Sequence, residues 1–208
     1  NQIGYPVALK LDSVSLVHKT EVGGIKLNLA DAAAVRGAFA ALRDDLQKAG
    51  KLKQMNGALV QPMIRGGVET MVGVVEDSLF GPLIAFGLGG VHVEVLRDVV
   101  FRITPLSEQD AREMVTGIRG YKLLQGYRGQ APADTEALVD LLLRVSLLVE
   151  EIPEISTLDM NPVFTRPPGE GCSIADVRIF VSKVRESQPV RLAVGRGQSA
   201  AIDSAATA

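Results

Sequence analysis

Residues 4–29 read GYPVALKLDSVSLVHKTEVGGIKLNL. The first part, Tyr5–Leu11, is short and apolar, a pattern that predicts a buried β-strand. The last part, Gly24–Leu29, alternates apolar with polar residues, which predicts a half-buried strand with Leu27 on its inner face. The segment between them, Asp12–Gly24, is largely polar and ends in two glycines, so we expect a loop that reverses the chain.

Three helices are predicted outward from this unit. Asp31 is a suitable N-cap for a helix that runs to about Lys48. Ser107–Met114 begins as a second helix, capped by Ser107. Asp134–Ile152 carries apolar residues at the i, i+3, i+4, i+7 spacing of a core-facing stripe, which makes it the clearest helix of the sequence.

The remaining apolar segments predict further strands, at Ala58–Met63, Glu69–Val75, Pro82–Phe86, Val99–Ile103, Thr157–Phe164 and Ser173–Val181. Short connections join the first three of these, so we expect them to be antiparallel neighbours. The last two read as a hairpin with a long turn. Strands and helices in mixed order indicate the α+β class, with antiparallel sheets covered by helices.

Composition narrows the range of functions. The 208 residues include 22 Lys and Arg against 24 Asp and Glu, a net charge of −2 that argues against a nucleic-acid binder. No apolar run is long enough to span a membrane. The lone Cys172, in a polar turn, excludes an internal disulfide and reads as a bystander thiol. We therefore expect a cytoplasmic protein that begins upstream of residue 1 and ends in a disordered tail or linker at 182–208.

Lys10 and the loop that follows it form the first candidate site. A lysine at the end of a strand can place its charge on a phosphate, and Gly23 and Gly24 let backbone N–H groups approach an anion. Each feature also has a simpler explanation, namely a surface lysine and a hairpin turn. His18, in the same loop, is either a reactive imidazole or a structural one.

Oxygen-bearing side chains near the C-terminal end form the second candidate site. Asp159 and Asn161 are two residues apart and so share one face of a strand, and Asp176 lies on the returning strand. Mg²⁺ prefers such hard oxygen ligands and takes phosphate oxygens for the rest. A turn at Asn161-Pro162 beside a surface acid would explain the same residues.

These segments occur together in an order that resembles the ATP-grasp domain of ADP-forming acyl-CoA synthetases, and more distantly the β chains of succinyl-CoA synthetases. The resemblance covers residues 4–181 and rests on these motifs: Gly4–Lys10, Leu16–Ile25, Val60–Ile64, Phe80–Pro82 with Phe86–Gly90, Gly126–Gly129, and Leu158–Pro162 with Asp176. It implies two lobes of mainly antiparallel sheet with helices, within a domain at 1–181 whose amino-terminal portion is missing.

The resemblance also implies roles for single residues. Lys10 would grip the phosphates of ATP under a loop ending at Gly23 and Gly24, and His18 would carry the phosphoryl group. Near the hinge at 60–64, three residues would line the adenine: Gln61, Pro62 and Met63. Glu69 would hold the ribose. Asn161 and Asp176 would bind Mg²⁺, with Asp159 as a third or supporting group.

The implied activity is that of an acid-thiol ligase, in which this domain exchanges phosphate between ATP or ADP and a phosphohistidine relay. CoA-binding and relay domains, fused or separate, would complete the enzyme, so the fragment alone would be inactive, and an oligomer is expected. The alternative is a nucleotide- or acyl-CoA-sensing domain fused to an N-acetyltransferase. One departure from the family is Thr157, where a Glu is usual four residues before the Asn.

Overall fold

The computed structural model describes residues 3–16, 22–90 and 98–183. Its strands are β1 Val7–Asp12, β2 Ile25–Leu29, β3 Gly57–Pro62, β4 Val68–Asp77, β5 Gly81–Leu88, β6 Val99–Ile103, β7 Ile155–Thr165, β8 Cys172–Ile174 and β9 Val177–Val181. Its α-helices are α1 Ala32–Lys48, α2 Glu108–Gly117, α3 Tyr121–Leu124 and α4 Thr135–Glu151, and a 3-10 turn spans Leu52–Gln54. None of these helices is long and apolar enough to cross a bilayer.

The small lobe comprises the described residues between 3 and 63. It is built on a three-stranded antiparallel sheet in the order β2-β1-β3. The central strand β1 is buried along most of its length, as its apolar sequence predicts. Helix α1 covers one face of the sheet, where Leu9 and Leu11 of β1 pack against Leu42 and Leu46 of the helix. Burial of the apolar surface of these leucines is the main contribution to the stability of the lobe.

The large lobe comprises the described residues between 64 and 183. Its six-stranded antiparallel sheet has the order β6-β5-β4-β7-β8, and β9 also pairs with β7. Helices α2 and α4 pack on one face of this sheet, around a core that includes Phe86, Met114 and Leu142. The opposite face carries the polar residues of the second candidate site. The predicted α+β class with mainly antiparallel sheets is confirmed.

The helix starts follow the local sequence as predicted. Asp31 accepts a hydrogen bond from the Ala34 N–H at 2.8 Å, and Asp134 accepts one from Ala137 at 3.1 Å. At the start of α2, Ser107 and Asp110 form a reciprocal capping box. Such caps satisfy N–H groups that have no partner inside the helix, which is why they can be recognised from sequence.

The expectation that β3 and β4 are antiparallel neighbours is wrong. Strand β3 pairs with β1, whereas β4 pairs with β5 and β7 in the other sheet. The chain crosses between the lobes through Gly66 and Gly67, which have φ angles of 71° and 89°. A Cβ on Gly67 would lie 2.6 Å from the Thr165 carbonyl oxygen, so only glycine fits this crossing without distortion. Strands β4 and β5, in contrast, are antiparallel neighbours as predicted.

The inner position predicted for Leu27 is also wrong, because its side chain is 55% exposed. The pairing of β1 with β2 shifts register between Val7 and Leu9, and Asn28 adopts a φ of 58°. This irregularity breaks the two-residue alternation on which the prediction rests. The predicted hairpin of β7 with the returning strand is present, but Ala175 and Asp176 divide that strand into β8 and β9. Most of the predicted tail at 182–208 lies outside the described residues.

Candidate functional site

Lys10 extends from the small lobe to the large lobe. Because Leu9 and Leu11 face the core of the small lobe, the side chain of Lys10 lies on the opposite face of β1. Its ammonium donates a hydrogen bond to the Ala175 carbonyl at 2.6 Å and lies 3.9 Å from Asp176 Oδ1. The side chain is only 9% exposed, so these partners compensate for the loss of water around a charge.

The Lys10 contacts have a particular place in the molecule. They join β1 of the small lobe to the segment between β8 and β9 of the large lobe. The buried apolar side chains of the described residues form separate clusters, one in each lobe. A charged contact therefore spans the boundary between two apolar cores.

The interruption between β8 and β9 places Asp176 beside Asn161. The Asn161 N–H donates to the Asp176 carbonyl at 3.3 Å, and the Ala175 N–H donates to the Pro162 carbonyl at 3.0 Å. These two backbone bonds hold the interrupted strand against β7. They also turn the Ala175 carbonyl oxygen toward Lys10. Three sequence-predicted residues, Lys10, Asn161 and Asp176, are thus brought together.

Asp159 lies on the same strand as Asn161, directly opposite Arg178 of β9. Burial raises the pKa of the Asp159 carboxyl above its ordinary value; Arg178 opposes this shift, and the charge of Asp176 adds to it. Arg178 Nε also lies 3.6 Å from Asp176 Oδ2. The two carboxylates are therefore close enough to repel each other, and Lys10 and Arg178 offset their charge.

The oxygen donors of this group fit a magnesium ion. Asp159 and Asp176 supply carboxylates and Asn161 supplies an amide oxygen, the ligand types that Mg²⁺ prefers. Within the described ranges, no group of three or more His, Cys, Asp or Glu residues is arranged as a metal cage. A small set of protein oxygens suits Mg²⁺ all the same, because Mg²⁺ keeps most of its positions for water or phosphate oxygens.

Thr157, the departure from the family pattern, lies on β7 two residues before Asp159 and four before Asn161. It is opposite Val75 of β4 and Phe180 of β9. Four residues of extended strand span about 13 Å, so a side chain at this position is too far from Asn161 to share one ion with it. A Glu at position 157 would therefore not share an ion with Asn161.

The residues predicted to surround the nucleotide base lie at the end of β3. Gln61 and Pro62 pair with Ala8 and Val7 of β1, and the Met63 N–H donates to the Pro6 carbonyl at 3.2 Å. The Met63 N–H is therefore already engaged within the small lobe. These residues directly precede the crossing to the large lobe, which is the position expected of a hinge.

Glu69 is an exposed residue of β4, opposite Phe164 of β7. The Gly89 N–H donates to the Glu69 carbonyl at 2.7 Å. A Cβ on Gly90 would lie 2.7 Å from Glu69 Oε2, so the carboxylate lies directly over this glycine. Glu69 thus lies near the end of β4, and its carboxylate packs against the backbone of Gly90.

The loop predicted to cover the phosphates is described only at its ends. The Leu11 N–H donates to the Gly24 carbonyl at 2.7 Å, which fixes the second glycine beside the strand that carries Lys10. Gly23 precedes it with a φ of 63°. His18 lies outside the described residues. Cys172 is half-buried, and burial raises the pKa of its thiol, which disfavours the reactive thiolate.

Sequence reasoning missed Arg178. Its contact with Asp176 depends on how β9 is aligned with β7, and the residue by itself looks like any charged residue of an edge strand. One signal was available: Asp176 and Arg178 are two residues apart on a predicted strand, so both could face the side that carries Asp159.

Comparison with known proteins agrees with the fold. A family model described as ATP-grasp domain matches residues 1–181. The chain is 43% identical over 181 residues to the beta subunit of acetate–CoA ligase [ADP-forming] II from Pyrococcus furiosus, covering 86% of this chain and 77% of that subunit. It is 44% identical to acetate–CoA ligase [ADP-forming] I from Archaeoglobus fulgidus, covering 87% of this chain but only 26% of that protein.

A solved structure of dinucleotide-forming acetyl-coenzyme A synthetase 1 from Ca. Korarchaeum cryptofilum is also similar. Its TM-score is 0.73 at 42% identity, covering 87% of this chain and 78% of that chain. That structure is described as a complex with coenzyme A and Mg-AMPPCP, with its phosphohistidine segment pointing towards the nucleotide binding site. From the matched family model and the identity to these relatives, it follows that the chain belongs to the ATP-grasp domain family.

Proposed function

We propose that this chain binds ATP with Mg²⁺ and carries out the phosphoryl-transfer half of an ADP-forming acyl-CoA synthesis. The complete reaction joins a carboxylate to CoA and converts ATP to ADP and phosphate. The named relatives are ligases of this kind, and the chain spans about three quarters of one of them and about a quarter of the other. The acetyltransferase-linked sensor gains no support from these relatives.

The main support for the proposal is that Lys10 of the small lobe lies beside Asp176 of the large lobe, and that Asp176 is hydrogen-bonded to Asn161. A nucleotide with its metal needs a cation for its phosphates and oxygen ligands for the ion. The two requirements are met here by Lys10, near the start of the chain, and by Asn161 and Asp176, more than about 150 positions later. Binding between two lobes with separate cores would also allow the site to close over the nucleotide.

Each residue of the group then has a task. Lys10 would leave Asp176 and offset the negative charge on the phosphates. Asp176 and Asn161 would hold Mg²⁺, with Asp159 as a further ligand or supporting group. Mg²⁺ supplies charge neutralisation and a fixed geometry for the phosphate oxygens. Gln61, Pro62 and Met63 would line the adenine, Glu69 would bind the ribose, and Gly23 and Gly24 would end the loop over the phosphates.

His18 would be the nucleophile. A neutral imidazole nitrogen attacks the γ-phosphorus, the bond between that phosphorus and the β–γ bridging oxygen breaks, and ADP leaves with the electron pair. Near neutral pH a large fraction of histidine is unprotonated, because its reference pKa is about 6.5. The related Korarchaeum structure is described with its phosphohistidine segment pointing towards the nucleotide binding site, which supports phosphoryl transfer to a histidine in this kind of enzyme.

Further domains would complete the reaction. We propose that CoA-binding and phosphohistidine-relay domains, on the same chain or on another subunit, accept the phosphoryl group, and that the assembly is an oligomer in the cytoplasm. The name of the Pyrococcus relative, a beta subunit, supports an assembly of more than one chain. Residues 1–181 would form the ATP-grasp domain, and 182–208 would be a linker or tail.

Labelling with ATP carrying a radioactive γ-phosphate tests the proposal. The full-length protein with Mg²⁺ should acquire an acid-labile, alkali-stable label, which His18→Ala should abolish. The chain has two histidines, so His92→Ala is the matched control and should keep the label. A label of normal extent in His18→Ala would remove this residue from the mechanism.

A further inference from the structure

We propose that Arg178 is a positioning residue that orients Asp176, so that one oxygen of this carboxylate is kept for the nucleotide-bound Mg²⁺. This inference rests on the proposed function, because it assumes that Asp176 is a metal ligand. Arg178 itself would touch neither the metal nor the phosphates. It would act through the carboxylate next to it.

The first observation is that the two oxygens of Asp176 face different cations. Oδ1 lies 3.9 Å from Lys10 Nζ, and Oδ2 lies 3.6 Å from Arg178 Nε. Lys10 comes from the small lobe, whereas Arg178 and Asp176 belong to the same edge of the large-lobe sheet. The carboxylate is therefore held between a cation that must move when phosphate binds and a cation on its own sheet.

The second observation concerns the strength of these contacts. Both distances exceed those of hydrogen bonds, so the pairs are held by charge attraction and not by a fixed bond geometry. The side chains of Asp176 and Arg178 are about three quarters buried, which limits screening by solvent. Lys10 can thus exchange Oδ1 for a phosphate without breaking a short bond to Asp176, while Oδ2 keeps its partner.

The third observation is the position of Arg178 on β9. Arg178 is directly opposite Asp159 in the pairing of β7 with β9 and also contacts Asp176, so its charge acts on both carboxylates. When Lys10 turns to the phosphates, Arg178 is the described cation that remains beside both acids. It would then reduce their mutual repulsion and hold Asp176 as a one-oxygen ligand through Oδ1.

Calorimetric binding of a non-hydrolysable ATP analogue with Mg²⁺ to the full-length protein tests this role. Arg178→Gln should weaken binding roughly tenfold, the low end of what loss of a group that orients a metal ligand costs. Arg178→Lys should restore most of the affinity, because the charge is kept. The matched control is Arg144→Gln, which removes an ion pair with Asp140 on α4 and should bind as the wild type does.

A double-mutant cycle separates orientation of Asp176 from a general effect of charge. If Arg178 acts through Asp176, then adding Arg178→Gln to Asp176→Asn should cost less than about a further twofold, whereas independent effects would multiply. Equal losses in both backgrounds, or wild-type binding by Arg178→Gln, would overturn the inference while leaving the proposed function intact. Wild-type binding by Asp176→Asn would instead overturn the metal assignment, and this inference with it.

Discussion

The two lobes differ in the size of the sheet and in the number of helices that cover it. The small lobe covers its three strands with one helix and a small cluster of leucines, whereas the large lobe packs two helices on a sheet of six strands. Since stability grows with the apolar area removed from water, the large lobe should be the more stable unit. From this difference we expect the large lobe to be the more rigid of the two, and the small lobe, which carries Lys10, to open more readily.

The largest expected effect comes from removing one fully buried leucine in each lobe. Leu142→Ala in the large lobe should lower the free energy of unfolding by about 3–5 kcal/mol, because it leaves a cavity under the sheet. Leu42→Ala is the matched change in the small lobe and should mainly speed amide hydrogen exchange in β1 and β3. Equal loss of protection in β4 and β7 after Leu42→Ala would show that the lobes unfold as one unit.

A second effect is expected at the crossing between the lobes. Gly67→Ala should cost about 2 kcal/mol, because it forces a Cβ toward the Thr165 carbonyl at a φ of 89°. Gly66→Ala is the control, since a Cβ there meets nothing within 4 Å and adds only backbone strain. Thermal unfolding measures both variants. If the two cost the same, the close approach to Thr165 does not constrain the crossing.

The smallest effect of the three depends on pH and is confined to the large lobe. Hydrogen bonds from the N–H groups of Ala137, Gly171 and Gly169 hold the pKa of Asp134 below its usual value, against the effect of burial. The folded protein thus gains stability from this carboxylate above the unfolded pKa, near 4, and loses it as the pH falls through the lower folded pKa.

Asp134→Asn should therefore cost about 1–2 kcal/mol at pH 7 and flatten the acid side of the stability curve. Unfolding in urea between pH 3 and pH 7 measures this. The control is Asp140→Asn on the same helix, whose partner Arg144 is exposed; its curve should keep the wild-type shape. A wild-type acid slope in Asp134→Asn would contradict the role given to these N–H groups.

How far the sequence predicts each part depends on the range of the interactions. Helix α4 follows from local spacing, because the backbone hydrogen bonds of a helix join residues that are close in the chain. The separation of β3 from β4 depends on partners that are distant in the chain, and a short connection gave the wrong neighbour. Lys10 and Asp176 could be connected beforehand only through the family resemblance. Arg178 was not predicted, because its proximity to Asp159 and Asp176 depends on how β9 is aligned with β7.

The interruption at Ala175 and Asp176 has one more consequence. In an unbroken hairpin the Ala175 carbonyl would point along the ladder or out of the site, and the strand would have nothing to offer a side chain from across the cleft. Here it accepts a hydrogen bond from the Lys10 ammonium at 2.6 Å, so the cleft between the lobes places a protein oxygen against the cation that is proposed to bind phosphate. An incoming nucleotide must therefore displace Lys10 from the Ala175 carbonyl and from the Asp176 carboxylate, which lies 3.9 Å away.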